Sequence, residues 1–154
     1  MRPIEATDPE VIMQPWGTET ILARTAAYTL KRLDYRAGRE GGLQYHMRKA
    51  ESFHLHSGVA VVTWDEGEGV LVSRRAVAGD TFTIPAGAPH QFHAVTDCVV
   101  FEASEPVMND RVNVAAYYGR TMPEGTLPTT WTEEEIAAFE RDTASHREGL
   151  VVSP

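Results

Sequence analysis

Two short segments about forty residues apart hold the residue types that bind metals. The first runs Gly42-Leu43-Gln44-Tyr45-His46-Met47-Arg48-Lys49-Ala50-Glu51, with Gly58 beyond it. Gln44 and His46 stand two apart, which on a strand points both side chains to one face. Glu51 follows after four residues, room for a tight turn and re-entry on a neighbouring strand. The second segment opens at Gly79-Asp80 and ends Pro85-Ala86-Gly87-Ala88-Pro89-His90. There Pro and Gly shape a turn that delivers His90 to the start of the next strand. Two imidazoles, a carboxylate and an amide oxygen meeting in one site suit a single divalent transition metal: Zn, Mn, Fe, Co or Ni. Such ligation leaves positions open for water or substrate. Gln44 has a second reading, as a residue that hydrogen-bonds the shell around the ligands.

These residues need a scaffold of short strands, and the chain supplies one. Turn residues separate candidate strands at 19–23, 28–35, 42–46, 51–56, 58–64, 70–77, 81–84, 90–94 and 98–104. Short strands with Gly or Pro punctuation every eight to twelve residues predict an all-β sandwich or barrel. Residues 1–14 read as an N-terminal arm or edge segment. In the tail, Thr132-Glu133-Glu134-Glu135 has the spacing of a capping box. A helix is therefore expected near 133–144 within a C-terminal segment, 121–154.

Composition narrows the partners. The chain has 154 residues, enough for one domain, and a net charge of −8. An acidic surface without a basic block argues against nucleic acid and anionic membranes. The N-terminus lacks an apolar leader core and no run reaches membrane-spanning length, so a cytoplasmic address is expected. Cys98, the one cysteine, sits before Val99-Val100 and reads as a buried strand position.

The two segments resemble the paired motifs of the cupin superfamily. His46, Glu51 and Gly58 fall on the first motif, with Gln44 at its first histidine. Gly79, Pro85, Gly87 and His90 fall on the second. The Gln-x-His pair is similar to that of phosphomannose isomerases, whose metal is held by Gln, His, Glu and His. Pro15-Trp16-Gly17-Thr18-Glu19, Lys31-Arg32-Leu33, Asn109-Asp110-Arg111-Val112 and Tyr118-Gly119-Arg120 extend the likeness. They resemble the C-terminal cupin of bifunctional mannose-6-phosphate isomerase/GDP-mannose pyrophosphorylases. The resemblance covers 15–120 and implies an all-β jelly-roll barrel, to which the expected short C-terminal helix is added, and a homodimer paired through the outer sheets. It also implies metal-dependent aldose–ketose isomerisation of a sugar or sugar phosphate through an enediol. Three departures stand out. Arg48 replaces a family histidine, Val114 to Tyr117 replace an acidic stretch, and the nucleotidyltransferase half is absent. A non-catalytic carbohydrate-binding cupin, or a metal-dependent dioxygenase or lyase on the same site, remain as alternatives.

The other polar residues divide by facing. Lys31, Tyr45 and His93 are candidates for proton handling. Arg32 and Arg48 are candidates for binding a substrate carboxylate or phosphate. Lys31 and Arg32 alternate, so one of them faces the barrel interior. If Glu51, Phe53 and Leu55 face inward, His54 and His56 face outward. Trp16 either pins the arm or stacks on a sugar, and His146 reads as surface.

Overall fold

A computed structural model describes residues 1–149 apart from 2 and 5, with side chains up to residue 144. His146 lies outside the described side chains. The strands are β1 (Glu10–Gln14), β2 (Gly17–Arg24), β3 (Thr29–Tyr35), β4 (Gln44–Tyr45), β5 (Glu51–Ser57) and β6 (Val59–Asp65). They continue as β7 (Leu71–Val77), β8 (Thr81–Ile84), β9 (His90–Ala94), β10 (Cys98–Ser104) and β11 (Val112–Asn113), followed by the helix α1 (Glu133–Gly149). The order β1-β2-β3-β10-β5-β8 makes a six-stranded sheet, and β11-β4-β9-β6-β7 makes a five-stranded one. All the pairs are antiparallel, and the two sheets face each other as an all-β jelly roll. Among the described residues no helix is long and apolar enough to cross a membrane.

Strict alternation decides what enters the barrel. On β5, Glu51, Phe53 and Leu55 are buried while His56 is exposed and His54 bonds Thr81 Oγ1 at 2.8 Å on the outer face. On β3, Lys31, Leu33 and Tyr35 turn inward and Arg32 outward. Leu33, Phe53, Leu55, Val62, Phe92, Cys98 and Val100 form the apolar core. Trp16 stacks on Tyr35 with ring centroids 4.0 Å apart and so pins the chain between β1 and β2 to this core. Gly58 makes the β5–β6 turn at φ +95°, where a Cβ would lie 2.3 Å from the Asp97 carbonyl oxygen, so only glycine fits.

Beyond shifts of a residue or two at several strand ends, two elements differ in extent from the sequence expectation. The strand expected over 42–46 shrinks to Gln44–Tyr45, because His46 to Lys49 are held by Asp110 rather than by a neighbouring strand. The helix runs to Gly149 instead of stopping near 144. Its start carries the expected capping box: Thr132 N–H donates to Glu135 Oε2 at 2.9 Å, and Glu135 N–H donates to Thr132 Oγ1 at 3.3 Å.

Candidate metal centre

The three strongest ligand candidates arrive from different strands by local rules. Glu51 opens β5 in the inward phase, directly opposite Ile84 at the end of β8. His90 opens β9 after the Pro85–Pro89 turn, and pairs in register with Gln44. That turn is fastened to the first segment, since Gly87 N–H donates to the His46 carbonyl at 2.7 Å. His46 directly follows β4, on a loop whose amides are gathered by Asp110. The Asp110 carboxylate accepts the N–H groups of Met47, Arg48 and Lys49 at 2.8, 2.8 and 2.9 Å, and Trp131 Nε1–H at 2.8 Å. Burial alone would push the Asp110 carboxyl up, but these donors hold it below its ordinary value.

His46, Glu51 and His90 are buried, and one ligand atom from each lies within 4.8 Å of the others. Glu51 Oε2 is 3.3 Å from His46 Nε2, and Glu51 Oε1 is 3.1 Å from His90 Nε2. Both imidazoles are oriented from behind: His46 Nδ1 meets the Asp110 carbonyl, and His90 Nδ1 meets the Ala88 carbonyl at 2.9 Å. A carbonyl only accepts, so each Nδ1 carries a proton, and each Nε2 turns toward Glu51 either as a lone pair or as an N–H donor. Lone pairs at that distance need a cation between them or a proton on each ring. The donor set therefore fits a divalent metal, with its tautomers fixed by the protein. Burial pushes the Glu51 carboxyl up, yet hydrogen bonds from His46 and His90 and the charge of Lys49 hold it well below the usual range. Burial pulls His90 down, and the hydrogen bond and charge of Glu51 outweigh it and raise the ring above its ordinary value.

Gln44, His46, Glu51 and His90 all line one cavity of about 220 Å³. Lys31 lines it too, with Nζ 2.8 Å from Glu19 and 3.7 Å from Glu102. Lys49 lies between Glu51 and that pair, 2.9 Å from Glu51 Oε2 and 3.6 Å from Glu102 Oε1. The result is a buried chain of alternating charge: Glu51, Lys49, Glu102, Lys31, Glu19. Phe53, Phe92, Leu33, Val100 and the Trp16–Tyr35 stack close the apolar side.

The other sequence candidates stand away from the cavity. Arg32 makes a double-pronged bond to Asp34 on the outer face of the six-stranded sheet, at 2.7 Å from Nη2 and 3.1 Å from Nε. Arg48 is exposed and lies over the Trp131 ring at 4.6 Å. Tyr45 points the opposite way to Gln44 and stacks on Phe139 of α1, and burial with the nearby charge of Glu140 pushes its hydroxyl up to about 12. His93 is outside the barrel, paired with Glu40 at 3.2 Å.

Four site residues escaped the sequence reading: Glu19, Lys49, Glu102 and Asp110. For Lys49 and Glu102 a signal was available, because each is two residues from an inward neighbour, Glu51 and Val100. A charge in the inward phase of a buried strand must be paired or functional. Asp110 gave no such signal, since the backbone amides it gathers are more than sixty positions away.

Residues 31–103 match the family model described as Cupin domain. Solved structures of similar fold include the capsular polysaccharide assembling protein CapF from Staphylococcus aureus, 19% identical over 70% of this chain and 32% of that one, with a TM-score of 0.61. KdgF from Halomonas sp. is 21% identical over 67% of this chain and 91% of that one, with a TM-score of 0.56. Oxalate decarboxylase from Bacillus subtilis is 16% identical over 86% and 43%, with a TM-score of 0.63. The chain matches about a third of the length of CapF. No curated protein matches it in sequence. At these identities the likeness is one of fold. The chain has the cupin fold, an all-β jelly roll with one C-terminal helix, and its residues 31–103 match the cupin domain model.

Proposed function

We propose that this cupin is a metal-dependent isomerase that interconverts the aldose and ketose forms of a sugar or sugar phosphate through an enediol. The observation that carries it is the convergence of His46 Nε2, His90 Nε2 and Glu51 in a cavity that also holds ammonium groups. Gln44 completes the set of residues that would hold the ion. When bound, a divalent metal polarises a carbonyl and its adjacent hydroxyl and acidifies the neighbouring C–H. The protein supplies the rest. Asp110 and Ala88 fix the imidazoles from behind, and the aromatic wall of Trp16 and Tyr35 excludes water from one side of the chamber. Lys31, held between Glu19 and Glu102, is the proton-handling group at a substrate oxygen. The Gln-x-His spacing that resembles phosphomannose isomerases supports this reading. So does the fold shared with CapF, a capsular polysaccharide assembling protein, and with an oxalate decarboxylase that has Mn(II) centres.

A second reading has one observation in its favour. Lys49 already neutralises Glu51 at 2.9 Å, as a carbohydrate-binding module without a metal would require. Metal analysis of protein purified without chelator separates the two. About one equivalent of a transition metal is expected, and its absence, with stability unchanged by EDTA, sinks the enzymatic reading. Exchange of the C2 hydrogen with solvent deuterium, across aldoses and their phosphates, tests the isomerase itself. Iron together with oxygen uptake would replace it with a dioxygenase.

A further inference from the structure

Among the described residues three cations line the cavity, Lys31, Lys49 and Arg111, and they are not equivalent. Lys31 and Lys49 each lie between two carboxylates. Arg111 lies beside none: among the described residues no carboxylate comes within ion-pair distance of its guanidinium. Its Nε–H donates to the Pro128 carbonyl at 3.0 Å, and its backbone N–H to Thr130 Oγ1 at 3.1 Å. Its terminal nitrogens make no further hydrogen bond among the described residues. Glu19 acts on it only from beyond ion-pair distance, and that carboxylate is already taken by Lys31 and by Gln14 Nε2 at 2.9 Å. Burial lowers the Arg111 pKa from its ordinary value, the mark of a guanidinium drawn partly out of water without full compensation.

The segment that holds Arg111 is itself part of the chamber. Residues 121–131 cross from the end of the barrel to α1, and Thr126 and Leu127 line the cavity. The segment is tied down by Arg111 and Asn113, whose Nδ2 donates to the Leu127 carbonyl at 2.9 Å. The Pro128 carbonyl thus fixes the plane of the guanidinium while leaving its fork of terminal donors free. A planar fork held in one orientation matches the oxygens of a phosphate or carboxylate.

We propose that Arg111 is the anion anchor of this cavity, binding the phosphate or carboxylate of a small polyhydroxylated ligand. It rests on the reading of the cavity as a sugar site, and it adds that the ligand is charged. Titration calorimetry of the metal-loaded and metal-free protein tests it, using inorganic phosphate, glucose 6-phosphate, glucuronate and uncharged glucose. Wild type should bind the charged ligands roughly 10- to 100-fold more tightly than glucose, the range of a charge-assisted fork. R111Q should erase that preference, and R111K should keep part of it. Inorganic phosphate should bind the metal-free protein too, and depend on Arg111 there, which separates this anchor from the metal. The two sugar anions distinguish a phosphate ligand from a carboxylate one. No phosphate binding by wild type, or equal binding by a folded R111Q, overturns the proposal. If R111Q does not fold, full retention of the charge preference in R111K counts against it. Loss of the metal with phosphate binding intact would leave Arg111 standing and remove the isomerase.

Discussion

The two halves of the barrel interior are built from the same strands and do opposite things. Toward one end, Leu33, Leu55, Val62, Ala94, Cys98 and Val100 pack without a polar group among them. Toward the other, the same strands carry Lys31, Glu51, His90 and Glu102 in the same inward phase. A step of two residues along β5, from Phe53 to Glu51, crosses from one regime to the other. In the apolar half, stability comes from area removed from water, about 25 cal/mol per Å². In the polar half, burying each ion costs several kcal/mol, which pairing only roughly offsets. The apolar end holds the barrel shut, so the polar end can keep charges that no fold needs.

Substitutions that separate stability from ligand chemistry can break this contrast. The largest effect on folding should come from Leu55→Ala at a fully buried site, about 2–5 kcal/mol by chemical denaturation, with metal content unchanged once folded. A loss of metal in that variant would mean that the two halves are not separable. Asp110→Ala comes next, at about 3 kcal/mol, because it strands the amides of Met47, Arg48 and Lys49. The same residue gives a pH signature. Its folded pKa lies below its unfolded one, so its contribution is complete above about pH 4 and drains away as pH falls through the lowered value. Asp110→Asn should flatten that acid limb in a stability–pH series. His90→Ala should shift stability by only about 1 kcal/mol, while metal content falls from about one equivalent toward zero in elemental analysis. His93→Ala is the smallest, within about 0.5 kcal/mol and without change in metal content, because its pair with Glu40 is half exposed to solvent.

Much of this was readable in the chain because strand alternation has a period of two and tolerates no slippage. His54 and His56 were assigned outward from the phase of Glu51, and they lie there. Thr81–Ile84, His90–Ala94 and Cys98–Ser104 match their expected bounds, because Gly, Pro or Asp residues close them on both sides. The hinge of the site was not readable. The short β4 and the loop after it depend on Asp110, a contact that local pattern does not encode. Arg48 illustrates the same limit: its spacing left its direction open, and Trp131, eighty-three positions on, took it.

Behind the candidate metal centre, the turn that carries His90 touches the C-terminal helix. Gly87 lies at φ +81°, and a Cβ there would meet the Phe139 ring at 3.1 Å, while that ring also stacks on Tyr45. Phe139 is thus a common buttress for the backs of the segments that carry His90 and His46, one through Gly87 and one through Tyr45. The helix, none of whose described residues lines the cavity, braces both segments from outside. Wear on this distant brace would reach the site as a change in ligand spacing, leaving every ligand still in place.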